Sequence, residues 1–234
     1  MDTSDTERQR IEKAYKSRLD KGWHKRYSLY QGGTLQAIQE RERVVLLMLQ
    51  RTVGTLADKR ILDIGCGAGN TLIPFLLYGA KMEHCFGVDI IEERIETAKQ
   101  RLPGMNFECC SGEDVPFERG TFDLVTMFTC LSSILDKEIR QKICSRAYDM
   151  LHVGGWVLIY DLRINNPLNS DVRAVTLKEL KQYFQGCKSY TRTLTLVPQL
   201  GRALGAYSIY MCGVLAKIPF LRTHRMTIFQ KPGI

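Results

Sequence analysis

The stretch Arg60-Ile-Leu-Asp-Ile-Gly-Cys-Gly-Ala-Gly69, followed at 87–90 by Gly-Val-Asp-Ile, decides how the rest of the chain is read. A short apolar strand carries an acid, Asp63, near its end and runs into three glycines at alternate positions. A second strand then ends in Asp89. Glycines after a strand let the backbone pass close to a ligand and open a helix whose free N–H groups favour a polar or anionic group. An acid about 20 residues beyond such a loop can take both hydroxyls of a ribose. The pair predicts a nucleoside-containing cofactor at the carboxyl edge of a parallel sheet.

Working outward, strands and helices alternate: strand 60–64, helix 70–79, strand 84–88, helix 91–101, strands 106–109 and 122–128, helix 136–150, strand 155–161. Alternation of this kind builds a parallel sheet with helices on both faces. Pro103-Gly104 ends one helix and Gly154-Gly155 is read as ending another. Upstream, residues 7–20 read as a polar helix and 34–50 as an amphipathic one with Thr34 as its N-cap. Downstream, a helix over 176–184 capped by Thr176, a strand over 188–196, a mostly apolar helix over 199–217 and a last strand over 224–230 are expected. Residues 162–175 have no period and read as a loop.

The glycine spacing separates two cofactor classes. A dinucleotide fold wants its third glycine one place later, where this chain has Asn70. Asp-x-Gly-x-Gly-x-Gly instead resembles the first motif of the class I S-adenosylmethionine-dependent methyltransferases. Ser-Gly-Glu-Asp-Val-Pro-Phe (111–117), Thr-Phe-Asp-Leu-Val-Thr (121–126) and Leu-His-Val-Gly-Gly-Trp-Val-Leu-Ile (151–159) resemble the later motifs of that superfamily, in order and at the expected distances. Within it, the chain looks like the broad ubiquinone/menaquinone-biosynthesis-like group, methyltransferase type 11. The resemblance implies a Rossmann-like, seven-stranded, mostly parallel α/β sheet with helices on both faces, the last strand antiparallel, and an N-terminal helical extension. It divides the chain into an extension or lid over 1–52 and a methyltransferase domain over 53–234.

The resemblance also implies a donor site for S-adenosyl-L-methionine. Asp63 would face the ammonium of the amino-acid end, and the backbone at Gly65, Cys66 and Gly67 would run beneath the methionine and ribose. Gly69 would let the helix start close to the sheet. Asp89 would accept from both ribose hydroxyls and Ile90 would pack on adenine. Ser111, Gly112 and Glu113 would lie at the adenine edge, and Met127 and Phe128 would line the methionine arm. Many relatives have Asp where this chain has Ser111, so a backbone contact at Gly112 carries more weight there.

On the acceptor side no dedicated catalytic motif stands out. Asn-Pro-Pro-Tyr is absent, and where many relatives carry a His pair this chain has Leu131-Ser132-Ser133. The polar run 160–173 follows the fifth strand and should stand over the methyl end. It nominates Asp161 as acceptor-side base or orienter, with Arg163, Asn166 and Arg173 gripping a polyhydroxylated or anionic acceptor; the alternative is a loop tied down by its own Asn and Asp side chains. Tyr27, Tyr30 and His224 complete the acceptor candidates.

The bulk properties set the remaining expectations. The 234 residues fit one α/β domain with additions. No apolar run reaches the roughly 18 residues of a membrane span, and Met-Asp-Thr-Ser-Asp-Thr-Glu-Arg lacks the apolar core of a signal peptide; a cytoplasmic protein is expected. The eight cysteines form no Cys-x-x-Cys pair and read as buried hydrophobes, with no metal site. The net charge of +8 gathers in 7–26 and 173–231 and can attract anionic partners. The activity expected is methyl transfer to an oxygen or nitrogen of a small polar metabolite or glycan, in a monomer or homodimer. No DNA partner is expected; RNA or protein methylation, and a non-catalytic cofactor-binding subunit, stay open.

Overall fold

The computed structural model describes residues 3–20, 22 and 28–233. Helices α1 (Thr3–Asp20) and α2 (Gly32–Arg51) precede strand β1 (Ile61–Ile64). There follow α3 (Ile73–Leu77), β2 (Cys85–Asp89), α4 (Glu92–Arg101), β3 (Asn106–Cys109), β4 (Phe122–Phe128), α5 (Lys137–Met150) and β5 (Leu151–Leu162). The tail adds α6 (Leu177–Tyr183), β6 (Lys188–Leu196), α7 (Pro198–Gly205), α8 (Ile209–Leu215) and β7 (Arg222–Gln230). The seven strands form one sheet in the order β3-β2-β1-β4-β5-β7-β6. Neighbours from β3 through β5 are parallel, and β7 runs antiparallel to both β5 and β6. The strand order reverses between β1 and β4, where a doubly wound sheet opens its crevice at the carboxyl ends of the strands.

Two apolar clusters sandwich the sheet. On one face Val45 and Leu49 of α2, Phe75 of α3 and Ile95 of α4 pack on Ile61, Leu124 and Leu158. On the other, Ile143, Ala147 and Met150 of α5 and Leu180 of α6 pack on Leu62, Val125 and Phe229. All four side chains of β1 are buried, as a central strand covered on both faces requires. That burial positions the site, because it fixes the height at which Asp63 leaves the core.

Several boundaries depart from the sequence reading, each for a local reason. α2 starts at Gly32 with Gln31 as its N-cap residue, ahead of Thr34. Here backbone meets backbone: a side chain at Gly33 would fall 1.9 Å from the carbonyl oxygen of Gly201 in α7, and one at Gly32 would fall 2.4 Å from that of Gly205. The expected helix over 199–217 is two short helices, because Ser208 caps a new start by accepting from Met211 N. α5 passes directly into β5 at Leu151, and Gly154-Gly155 lie inside that strand beside a register shift against β4. Asp136 caps α5 by accepting from Glu138 N and Ile139 N, and Thr176 caps α6 by accepting from Glu179 N. Among the described residues, no helix is long and apolar enough to cross a membrane.

Candidate functional site

At the carboxyl tips of β1, β2 and β4 lies a cavity of about 230 Å³. Its floor is the glycine loop. Gly65 N and Cys66 N both donate to Val88 O, which ties the loop to β2 and leaves its upper surface free. Gly65 and Gly67 sit at φ +79° and +55°, a region where side chains are strained. A Cβ at Gly65 would also lie 2.7 Å from Cys130 Sγ, and one at Gly67 would fall inside the Arg94 guanidinium. Gly65 and Gly67 are therefore favoured on conformational grounds, and at Gly65 the Cys130 side chain adds a spatial one.

Two carboxylates flank it. Asp89 is buried; its Oδ2 accepts from Gly67 N at 2.8 Å and its Oδ1 from Ile91 N at 3.0 Å. The Arg94 guanidinium stands 3.7 Å from Oδ2 and lies over the Tyr15 ring, 4.5 Å from its centroid. Asp63 is 1% exposed. Thr126 donates to its Oδ1 at 2.6 Å, whereas Oδ2 has no hydrogen bond of normal geometry, although the Thr71 hydroxyl stands close enough to favour the anion. Burial pushes Asp63 up to about 6 against the pull of Thr126 and Thr71, and the nearby charge of Asp89 adds to the rise. A buried acceptor without a partner is costly and rare. It is the kind of vacancy that a ligand's ammonium group fills.

Of the donor residues nominated from sequence, Gly65, Cys66, Asp89, Ile90, Ser111, Gly112, Glu113 and Phe128 line the cavity. Asp63 lies just beneath it, next to the lining residue Thr71. Gly67 lies under Arg94, and Gly69 backs onto Leu102 and Phe107, closing the loop against the sheet. Met127 is fully buried in the core on the α5 face; strand alternation turns Phe128 to the cavity and Met127 away from it.

The acceptor nominations fare differently, and among the described residues none of them lines this cavity. Asp161 is 3% exposed, and its oxygens accept from Ser132 N at 3.0 Å and Leu162 N at 2.8 Å. It holds the β4–α5 turn, whose neighbours Cys130 and Ser133 do line the cavity. Burial raises it to about 6, outweighing the bonds from Ser132 and Leu162. Arg163 spends its guanidinium on the carbonyl of Arg222, and Asn166 Oδ1 accepts from Leu168 N within its own turn. Arg173 binds Ser132 O through its backbone, and its side chain lines a separate open groove with Arg163, Lys137 and Lys178. The loop is thus tied down by its own side chains and stands aside from the donor cavity. Tyr30 is fully exposed, and Tyr27 lies outside the described residues. His224 stacks on Tyr160 at 4.9 Å; burial, aided by the charge of Arg41, lowers its pKa to about 3 and keeps the imidazole neutral.

The structure adds residues that the motifs do not reach. α1 lies over the cavity and contributes Ser4, Glu7, Arg8, Ile11 and Tyr15. Glu7 accepts from Leu135 N at 2.6 Å, and Arg10, bridged to Glu7, donates to Ser133 O. Burial would raise the Glu7 pKa, but the Arg10 and Leu135 bonds outweigh it and hold the carboxylate below its usual range. Arg41 of α2 lines the opposite wall, over the rings of Phe128 and Tyr160. At the tip of β4, Thr129 has φ +52°, an uncommon conformation for a residue with a side chain. Strain of that kind concentrates at ligand sites.

Comparison with known proteins agrees with this geometry. Residues 61–155 match the family model described as a methyltransferase domain. A tRNA N(3)-methylcytidine methyltransferase of Drosophila melanogaster is 30% identical over 115 residues, covering 45% of this chain and 35% of that protein. A ubiquinone biosynthesis O-methyltransferase of Chromobacterium violaceum is 30% identical over 117 residues, covering 47% of each chain. The chain spans about a third to a half of the length of the curated relatives it matches. Among solved structures, the magnesium protoporphyrin IX methyltransferase of Synechocystis PCC 6803, with S-adenosylmethionine bound in its own structure, aligns with a TM-score of 0.64 at 15% identity, over 95% of this chain and 96% of that one. The YcgJ protein of Bacillus subtilis aligns with a TM-score of 0.58 at 19% identity, over 82% of this chain and all of that one. Over residues 61–155 the chain matches a methyltransferase domain, and its sheet order and these alignments show the fold shared by S-adenosylmethionine-dependent methyltransferases.

Proposed function

We propose that this protein transfers a methyl group from S-adenosylmethionine to an oxygen or nitrogen atom of a small polar or glycan-type acceptor. The observation that carries the reading is the pair of buried carboxylates beside a cradle whose glycines take positive φ. Asp63 keeps one oxygen without a partner, and Asp89 stands at the tip of the next strand. These groups fit the donor's two polar ends. Asp63 would hold the ammonium, Asp89 the ribose hydroxyls, and Ile90, Gly112 and Glu113 the base. When bound, the donor supplies a methyl group on a positively charged sulfur, whose charge disappears in an in-line displacement.

Such a reaction asks little proton chemistry of the protein; alignment and exclusion of water supply most of the barrier reduction. α1 provides the exclusion, roofing the cavity through Ile11 and Tyr15 and latched by Glu7 and Arg10 onto the turn after β4. Residues 1–52 act on this reading as a lid, though α2 is also built into the core. Asp161 serves as an orienter: it fixes the amide of Ser132 and with it the wall formed by Cys130 and Ser133. Phe128, Thr129 and Arg41 border the side where an acceptor would enter.

The test is calorimetry with S-adenosylmethionine and S-adenosylhomocysteine, followed by product formation against a panel of hydroxyl and amine acceptors. Donor binding with turnover on a small polar acceptor supports the proposal. A protein that ignores both nucleosides overturns it. A second reading, RNA methylation, draws on the relationship to tRNA methyltransferases. It predicts turnover on tRNA in the same panel.

A further inference from the structure

We propose that the face built by α7, α8 and the turn before β7 docks on an anionic phospholipid membrane. This surface lies apart from the donor cavity and shares none of its lining residues.

The first observation is where apolar side chains are left in water. α8 buries Cys212, and just beyond its end Ala216, against Leu196 of β6. Its other side presents Tyr210, Met211 and Val214, at 84%, 50% and 62% exposure. Positions 210, 211 and 214 share one face of a helix. A surface helix normally turns charged or polar groups outward, and α8 has none to turn. Tyr207 before it and Phe220 after it are equally open. Scattered apolar residues on a surface need no explanation, but a contiguous patch does.

The second observation is charge. Residues 180–234 contain eight Lys or Arg and no Asp or Glu, which equals the net +8 of the whole chain. Lys217 stands exposed at the end of α8. On the same face of the sheet, Lys188, Tyr190 and Arg192 of β6 are exposed at alternate positions. Aromatic and aliphatic groups with Lys217 at their edge and no acid in their own stretch of chain match an anionic lipid surface: tyrosines sit at headgroup depth, apolar tips reach the acyl boundary, and the lysine stem extends to the phosphates.

The third observation is that the patch is held in shape. The glycine crossing locks α7 to α2, and Arg222 clamps the end of α8 through Ala216 O at 2.6 Å and β6 through Thr193 O at 2.9 Å. The face is displayed, not frayed. An RNA partner would use the charge but gain nothing from Val214, Met211 and Phe220. A second copy of the chain would bring like charge against like.

The test uses the full chain and vesicles of phosphatidylcholine with and without phosphatidylglycerol. Co-sedimentation is expected with the anionic vesicles and should weaken as salt is added. Tyr210→Ser combined with Val214→Ser should cut partitioning about tenfold or more, since two apolar side chains no longer enter the lipid. Lys217→Gln should cut it about fivefold. All three positions are exposed, so the melting temperature and S-adenosylhomocysteine affinity should not move. Tyr210→Trp should show emission quenched by brominated lipid. Failure to bind either vesicle overturns the proposal, as does vesicle binding untouched by the double substitution. Binding to tRNA without vesicle binding, or a stable dimer that protects Tyr210, overturns it equally.

Discussion

Asp63 and Asp161 are the same residue near the carboxyl ends of two strands, both almost fully buried and both pushed by burial to about 6. Their surroundings divide them. Asp161 has both oxygens occupied by backbone amides, Leu162 N beside it and Ser132 N of the turn after β4, while Asp63 has one oxygen bound by Thr126 and the other without a partner. A satisfied buried carboxylate holds structure; one left open in part awaits something from outside. The difference extends to the two halves of the site. Around Asp161 the polar groups close on one another, with Arg140 binding Ile134 O, Arg173 O and Glu179. Around Asp63 the polar groups border a cavity that Asp89 lines, although the Asp89 oxygens also accept from Gly67 N and Ile91 N. Substitutions on the closed side should cost stability, and those on the open side should cost donor affinity.

Arg140→Met gives the largest effect expected from this contrast. The guanidinium is fully buried, and its loss leaves Glu179 without its cation and two carbonyls without donors. Removing one partner of a buried pair destabilises by about 3–5 kcal/mol. Chemical denaturation should show that loss, while the fraction still folded binds S-adenosylhomocysteine as before. On the open side, Asp63→Asn should weaken donor binding by about 1–3 kcal/mol, the scale of a lost bond to a charged group. Its stability at pH 7.5 should hold or rise, because an isosteric amide removes a buried charge. A fall in stability with affinity intact would reverse the assignment of the two sides.

Titration sharpens the comparison because folding and binding should respond with opposite signs. Both carboxyls have folded-state values raised above the ordinary 3.8. The native state therefore holds protons more tightly than the unfolded chain. The stability these two groups contribute is fully present below about pH 4 and is lost as pH rises through about 6. If Asp63 holds the donor's ammonium as proposed, affinity should be steady above pH 6 and weaken below it, by at most about tenfold per unit. Calorimetry between pH 5 and 8 checks this. Asp63→Asn should flatten the profile and Asp161→Asn should leave it in place.

Gly65, Cys66, Asp89 and Ile90, which line the cavity at the tips of β1 and β2, were nominated from sequence because they sit on a contiguous loop and a following strand. Positive φ and close backbone approach demand glycine at Gly65 and Gly67, and the strand period sets Asp63 and Asp89 at neighbouring tips. The strands 106–109, 122–128 and 188–196 have the expected ends. An extension or lid over 1–52 was expected, but the α1 residues that line the cavity were not named, because α1 has no strong apolar face and meets the turn after β4 through Glu7 and Arg10, contacts that no local pattern announces. The loop 162–175 misled because the residues that could grip a sugar, Asn165, Asn166 and Asn169, are the ones whose side chains bond nearby backbone N–H groups. Only the three-dimensional accounting of those donors tells the two uses apart. The break between α7 and α8 was hidden by an apolar run that reads as one helix until Ser208 is seen to cap the second.

Asp161→Asn is the smallest effect and the finest test of the contrast. An amide can replace the carboxylate in shape and still accept one backbone N–H, but its NH2 group then faces the other donor. The local cost should be about 1 kcal/mol, the net worth of one hydrogen bond, offset in part by removal of a buried charge. Ser132 would shift with it, and through Ser132 the wall formed by Cys130 and Ser133. On the proposed reading that wall borders the acceptor side, so kcat should fall severalfold while the donor Kd stays within twofold. A change in donor Kd as large as that of Asp63→Asn would mean that the two carboxylates belong to a single site and that the division drawn between them is wrong. Unchanged kcat would mean that Asp161 orients nothing the reaction uses. The neutral His224 beside Tyr160 offers the control: it titrates at about 3, so any kinetic pKa near 6 that disappears in Asp161→Asn belongs to the carboxyl.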